Sequence, residues 1–147
     1  MLLTGTFERS VDEKLRIAIP KRLRDALEQP ELKSLFIAPG TDGSLSLYTE
    51  SAFAKLAERL TESSPTQHDV RAFSRLFYSQ AQNVEVDSQG RVRIPVELAK
   101  LAGLDKEAVL LGVQDHMELW DKARWQAYLT DKSQRYDEIA EAAFGMK

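Results

Sequence analysis

One thirteen-residue pattern occurs twice in this chain, and that duplication limits what the chain can fold into more than any other feature. The first copy is Val11-Asp12-Glu13-Lys14-Leu15-Arg16-Ile17-Ala18-Ile19-Pro20-Lys21-Arg22-Leu23, and the second is Val86-Asp87-Ser88-Gln89-Gly90-Arg91-Val92-Arg93-Ile94-Pro95-Val96-Glu97-Leu98. Val, Asp, Arg, Ile, Pro and Leu recur at identical places, 75 residues apart. Each copy is followed by a short amphipathic run and then by two apolar stretches, which end in Leu47-Tyr48 and Leu119-Trp120. Self-similarity on this scale marks a repeated supersecondary unit.

The second copy shows how the unit is built. Asp87 and Gly90 occupy the first and fourth places of a type I turn, where an Asp side chain can bond nearby backbone N–H groups and Gly tolerates positive φ. Around that turn Val84, Val86, Val92 and Ile94 alternate with Glu85, Arg91 and Arg93, the period of strands with one buried face. Arg91 and Arg93 therefore point the same way. Pro95 is placed to open a helix of about two turns over Val96 to Ala102, closed by Gly103. Pro20 does the same in the first copy, with Leu23 and Leu27 facing inward. Further strands are expected over Leu35 to Ala38 and Ser44 to Tyr48, around Gly40-Thr41-Asp42-Gly43. Their counterparts are Ala108 to Val113 and Met117 to Trp120, around a turn at Asp115-His116. Each half reads β-β-α-β-β.

Helices over Ser51 to Leu60 and Val70 to Ala81 link the halves, broken by the loop Ser63-Ser64-Pro65. One long helix is expected from Asp121 to about Phe144, with Trp125, Tyr128, Leu129, Tyr136, Ile139 and Phe144 on an apolar stripe that reads as core or subunit interface. The chain divides into repeat 1 (6–52), a helical linker (53–80), repeat 2 (81–124) and a C-terminal helix (125–147). The fold class is α+β. A half of this size leaves most of its apolar face open and needs its twin, so the halves are expected to form an intramolecular pseudo-dimer whose strands close one sheet system, with the two turns near each other across a pseudo-twofold axis.

Composition narrows the function. With 43% hydrophobic and 29% charged residues in 147, the chain falls among ordinary soluble globular proteins, and no stretch approaches the roughly 20 apolar residues of a membrane span. The start Met1-Leu2-Leu3-Thr4-Gly5 lacks the features of a secretory signal, which makes a cytoplasmic protein the expectation. There is no cysteine, and the two histidines, His68 and His116, fit no metal spacing. No nucleophile elbow, phosphate-binding loop or dinucleotide fingerprint occurs, so neither catalysis nor a cofactor is expected. Net charge is −3, yet Arg9, Lys14, Arg16, Lys21, Arg22 and Arg24 face only Asp12 and Glu13 within one short segment. That is a basic element on an acidic body, which reads either as an ordinary solvated charged segment or as a phosphate-binding surface.

Together these residues resemble the MraZ family of bacterial transcription regulators, whose chains carry two AbrB-like (SpoVT-AbrB) swapped-hairpin units with the signature Asp-x-Lys-Gly-Arg-x-x-x-Pro. Asp12 to Pro20 and Asp87 to Pro95 each match the signature with one departure. The segment Val70-Arg71-Ala72-Phe73-Ser74-Arg75-Leu76-Phe77-Tyr78, and Leu119-Trp120 followed by Trp125, also look like that family. The resemblance implies a double swapped-hairpin β-barrel with linking and C-terminal helices. It also implies ring-shaped homo-oligomers and binding of double-stranded DNA at direct repeats upstream of the division and cell-wall gene cluster, with repression of that cluster and of the regulator's own gene. The signature arginine is the family's DNA contact, a role that falls on Arg16 and Arg91 with Lys14 in support. Arg93, Lys21, Arg22 and Arg24 complete the candidate set.

Two departures touch the turns: Leu15 stands where the first copy should have Gly, and Gln89 where the second should have Lys. A left-handed Leu costs about 1 kcal/mol or more, so the first hairpin is expected either to use another turn or to present Arg16 at a changed angle. The two turns could then divide the work, the first supplying charge and the second geometry. For both arginines an ion pair with Asp12 or Asp87 of the same turn stands beside DNA contact as a reading of the residues. For the whole chain the alternative is an AbrB-like interaction or antitoxin module with no regulatory DNA target of its own.

Overall fold

The two copies fold as β-β-α-β-β units that exchange their first strands. A computed structural model describes residues 1–27, 32–62 and 66–145. The first unit comprises β1 (Thr6–Ser10), β2 (Arg16–Ala18), α1 (Lys21–Ala26), β3 (Ser34–Pro39) and β4 (Leu45–Tyr48). Helices α2 (Glu50–Thr61) and α3 (His68–Gln80) lead to the second unit: β5 (Gln82–Glu85), β6 (Arg91–Arg93), α4 (Val96–Leu101), β7 (Glu107–Val113) and β8 (His116–Asp121). Helices α5 (Lys122–Ser133) and α6 (Tyr136–Phe144) follow. The expected loop Ser63-Ser64-Pro65 lies outside the described residues.

Six strands form one antiparallel sheet in the order β1-β7-β8-β4-β3-β5. Exchanging the halves reverses this order onto itself, which is the signature of a pseudo-twofold axis between β8 and β4. The first strand of each unit pairs with the other unit: Phe7 lies opposite Leu110, and Val84 opposite Leu35. The remaining strands, β2 and β6, make a two-stranded antiparallel ribbon with Ile17 opposite Val92. A ribbon of that size is not stable alone. It is held because Ile17 and Val92, each 1% exposed, enter the main core with Leu35, Leu45, Leu110 and Leu119, at about 2 kcal/mol of transfer free energy for each such side chain.

The sheet's outer face carries the helices. Thr49 caps α2 by accepting the Ala52 N–H at 3.2 Å, and Phe53, Leu56 and Phe77 of α2 and α3 cover Phe36, Ala38 and Tyr48. At the equivalent place in the second half Asp121 caps α5 by accepting the Arg124 N–H, and Trp125 and Tyr128 cover Val109, Leu111 and Trp120. Pro20 and Pro95 are the N-caps of α1 and α4, one place earlier than expected. Gly103, at φ +62°, ends α4 as expected, its N–H bonded to the Lys100 carbonyl.

Two expectations need correction. The single helix of the C-terminal segment is two helices, because Arg135 leaves helical geometry at φ −119°, ψ 26° and turns the chain. Of the expected stripe, Trp125 and Tyr128 reach the core, whereas Leu129, Tyr136, Ile139 and Phe144 are exposed. His116 does not lie in a turn: it is the first residue of β8, half-buried and stacked on Tyr48 with ring centroids 5.0 Å apart. The turn before it is made by Gln114, at φ 66°, and Asp115.

Candidate nucleic-acid interface

The ribbon puts arginines on its outer face by strand geometry alone. Ile17 and Val92 point inward, so their neighbours Arg16, Ala18, Arg91 and Arg93 point outward, since alternate residues of a strand share a face. In register, Arg16 lies opposite Arg93 and Ala18 opposite Arg91. Arg16 and Arg91 are thus diagonal neighbours, with Cα atoms about 7–8 Å apart. All three arginines line one shallow concavity of about 440 Å³ together with Asp87 and Pro95. Lys14, exposed at the first turn, and Arg93 border a second concavity beside it.

Each turn is organised by its aspartate. Asp12 Oδ1 accepts the backbone N–H of Lys14 at 2.9 Å and of Arg16 at 2.8 Å, while Oδ2 accepts Arg16 Nε at 2.7 Å. Asp87 repeats the pattern with Gln89, Arg91 and Arg91 Nε at 2.8, 2.9 and 2.9 Å. The strands close behind the turns in the same symmetric way, Ile19 N–H bonding the Gly90 carbonyl and Ile94 N–H the Leu15 carbonyl, both at 2.8 Å. The backbone N–H of Arg16 acts first, with the Arg16 side chain and Lys14 N–H, to hold Asp12 below the usual aspartate value; Arg91 and Gln89 do the same for Asp87. Both carboxylates are therefore charged at neutral pH.

The ion pairs read as an alternative to DNA contact are present, and they leave the contact open. Each aspartate engages its arginine through Nε. The two Nη groups of each guanidinium make no hydrogen bond to the described residues, and the side chains remain 28% and 29% exposed. An arginine tethered by Nε keeps a planar pair of donors for a phosphate oxygen or a guanine edge, and the tether reduces the rotamer freedom lost on binding.

The first turn is not altered by its leucine. Leu15 adopts φ 61° where Gly90 has φ 79°, and the bonding of Arg16 matches that of Arg91. The reason lies in what each residue meets. A Cβ on Gly90 would come 3.0 Å from the Arg24 guanidinium, whereas Leu15 packs on the core. By the 75-residue offset the counterpart of Arg24 is Ala99, a member of the core cluster that Leu15 packs on. The small turn residue of the second half thus meets a large helix residue of the first, and the large turn residue of the first half corresponds to a small helix residue of the second. The first turn therefore lacks none of the backbone geometry of the second.

The cations of α1 stand apart from the ribbon face. Lys21 pairs with Asp25 at 2.9 Å, Arg22 lies over the Phe7 ring at 5.8 Å, and Arg24 donates Nε to the Ile19 carbonyl at 3.0 Å while bracing Gly90. Arg16, Arg91, Arg93 and Lys14 converge; Arg24 supports the second turn; Lys21 and Arg22 do not join them. The pairing of β2 with β6 across the two copies, which sets this convergence, has no local sequence signal. Among the described residues no group of three His, Cys, Asp or Glu is placed to hold a metal ion, and no helix is long and apolar enough to cross a membrane.

The model of the family described as MraZ protein, antitoxin-like, matches residues 2–76 and again 77–147. The chain belongs to the MraZ family. Proteins named transcriptional regulator MraZ are similar to it over most of their length. That of Finegoldia magna is 39% identical, over 90% of each chain. That of Alkaliphilus oremlandii is 37% identical over 95% of this chain and 94% of its own. That of Lactiplantibacillus plantarum is 38% identical over 93% and 94%. The two MraZ units break at residues 76 and 77, within α3. The solution structure of PHS018 from Pyrococcus horikoshii has a TM-score of 0.35 at 17% identity, covering 78% of this chain and 96% of that one.

Proposed function

We propose that this MraZ-family chain is a transcriptional regulator that grips double-stranded DNA with the outer face of the β2–β6 ribbon. The reading rests on one observation: two arginines from two copies of one turn, each tethered by an aspartate through Nε, share a face with Arg93, which stands opposite Arg16. Arg16 and Arg91 are the principal contacts, Lys14 and Arg93 flank them, and Arg24 holds the second turn in place. Lys21 and Arg22 add charge at longer range. The target is a set of direct repeats upstream of the division and cell-wall gene cluster, and occupancy represses the cluster and the regulator's own gene by blocking the promoter.

The ribbon offers only a few cations on a chain of net charge −3, so one chain binds weakly. Several chains in a ring-shaped homo-oligomer, acting in the cytoplasm on the nucleoid, engage consecutive repeats and gain affinity through effective concentration. Nothing in this scheme uses a cofactor or a catalytic step.

The test is a fluorescence-anisotropy titration of DNA from upstream of the gene across a salt series. The double variant Arg16→Ala/Arg91→Ala should bind at least about 100-fold more weakly, with a salt slope shallower by about two. Unchanged affinity and slope would overturn the proposal. That outcome would favour an AbrB-like interaction or antitoxin module, a reading that the open apolar residues of α6 also suit.

A further inference from the structure

Helix α6 is amphipathic and lies largely open among the described residues. Tyr136, Ile139, Ala140, Ala143 and Phe144 fall on one side at helical spacing, and Asp137, Glu138 and Glu141 bring three negative charges with no positive one. None of its residues is buried, and Tyr136 and Phe144 are 72% and 89% exposed. The turn at Arg135 is what separates α6 from the sheet, since α5 just before it lies on the sheet through Trp125 and Tyr128.

Between α2 and α3 runs a groove of about 490 Å³ whose floor is mostly apolar: Ala57, Leu60, Val70 and the ring of Tyr78. The Tyr78 hydroxyl is buried there and has no hydrogen-bond partner among the described residues. A buried hydroxyl without a partner is destabilising, and an acceptor brought in by a bound segment would relieve it. Arg75 stands on the rim, exposed.

We propose that the α2–α3 groove of one copy of this chain receives α6 of the next copy. The apolar side of α6 covers the floor, a carboxylate of Glu138 or Glu141 meets Arg75, and an acceptor on the incoming helix serves the Tyr78 hydroxyl. Groove and helix are different surfaces of the same chain, so the contact is head-to-tail and repeats from copy to copy, closing into a ring when the rotation allows. This deepens the homo-oligomer reading given above and rests on it.

The absence of cysteine from the chain makes the test clean. One full-length chain carrying Thr61→Cys is mixed with another carrying Ile139→Cys, and the mixture is treated with a short bismaleimide. Thr61 lines the groove and Ile139 is 41% exposed, so neither change disturbs the core. A cross-linked heterodimer, absent when either chain is treated alone, is the expected product. In parallel, Arg75→Glu should raise the dissociation constant of the assembly at least tenfold in analytical ultracentrifugation, and adding Glu141→Lys should restore most of it. An assembled wild type with no heterodimer and no response to Arg75→Glu overturns the proposed contact. A cross-link formed only within a chain carrying both cysteines does the same, because α6 then folds back on its own groove. A wild type that stays monomeric at every concentration overturns the homo-oligomer reading and the contact with it, which separates the two failures.

Discussion

The turn at Asp12 and the turn at Asp87 have the same backbone and the same aspartate-to-arginine bonds, yet different surroundings. Beside the first stand Lys14 and, across the ribbon, Arg93; beside the second the matching positions are Gln89 and Ala18. Under the first turn the residue is Leu15, and under the second it is Gly90 with Arg24 braced against it. Geometry has been kept in both copies while charge and packing have moved apart. The aspartate carries the geometry, because its carboxylate gathers two backbone N–H groups and one guanidinium whichever residue takes the left-handed place.

Stability should separate the turns most. Gly90→Leu introduces a left-handed leucine and displaces the Arg24 guanidinium from the Ile19 carbonyl, a combined loss of about 2–3 kcal/mol in urea unfolding. Leu15→Gly relieves backbone strain but gives up apolar burial, and should fall within about 1 kcal/mol of the parent. If packing is the reason, Arg24→Ala placed with Gly90→Leu recovers part of the loss. Equal effects of the two single changes would break the size-swap account.

Charge should separate them less. Arg93→Ala is expected to weaken DNA binding by about tenfold and to lower the salt slope by about one, and Ala18→Arg to do the opposite. An Ala18→Arg protein that binds no better would mean that the second end of the ribbon does not face the duplex.

The smallest difference concerns pH and lies in the hairpins behind the turns. The hairpin before β4 closes through Ser44, whose hydroxyl bonds the Thr41 carbonyl at 2.8 Å. The hairpin before β8 closes through His116, with Nδ1 2.8 Å from Asp115 and Nε2 3.5 Å from Glu118, while Arg59 of α2 reaches Asp115 at 3.9 Å. Burial pulls the His116 pKa down, but hydrogen bonds and charge from Glu118 and Asp115 outweigh it and leave the value above the ordinary 6.5. A raised histidine contributes stability that is complete below about 6.5 and is lost as pH climbs through the folded-state value. The melting temperature should decline over that range, and the decline should vanish in His116→Asn. A slope that persists in the variant would place its origin elsewhere.

Much of this was legible in the sequence. Period-two alternation around Asp87 and Gly90 gave the strands and the shared direction of Arg91 and Arg93, and the repeated Pro placed α1 and α4 to within one residue. The arrangement across copies was less so. That Arg16 faces Arg93, and that β1 joins β7, are pairings over long sequence separations that no local pattern encodes. The split at Arg135 was hidden because apolar spacing continues smoothly through it from Leu129 to Tyr136. Arg24 joins the DNA-contact candidates in the sequence because its carbonyl acceptor and its glycine neighbour lie outside its own helix.

The crossed placement of β1 and β5 also decides how the molecule can come apart. Each half contributes an edge strand to a sheet completed by the other, so a chain severed between α2 and α3 should yield two pieces that stay associated, and two separately made pieces should regain the fold only when mixed. The peptide link between the halves then serves chiefly to fix their ratio at one to one.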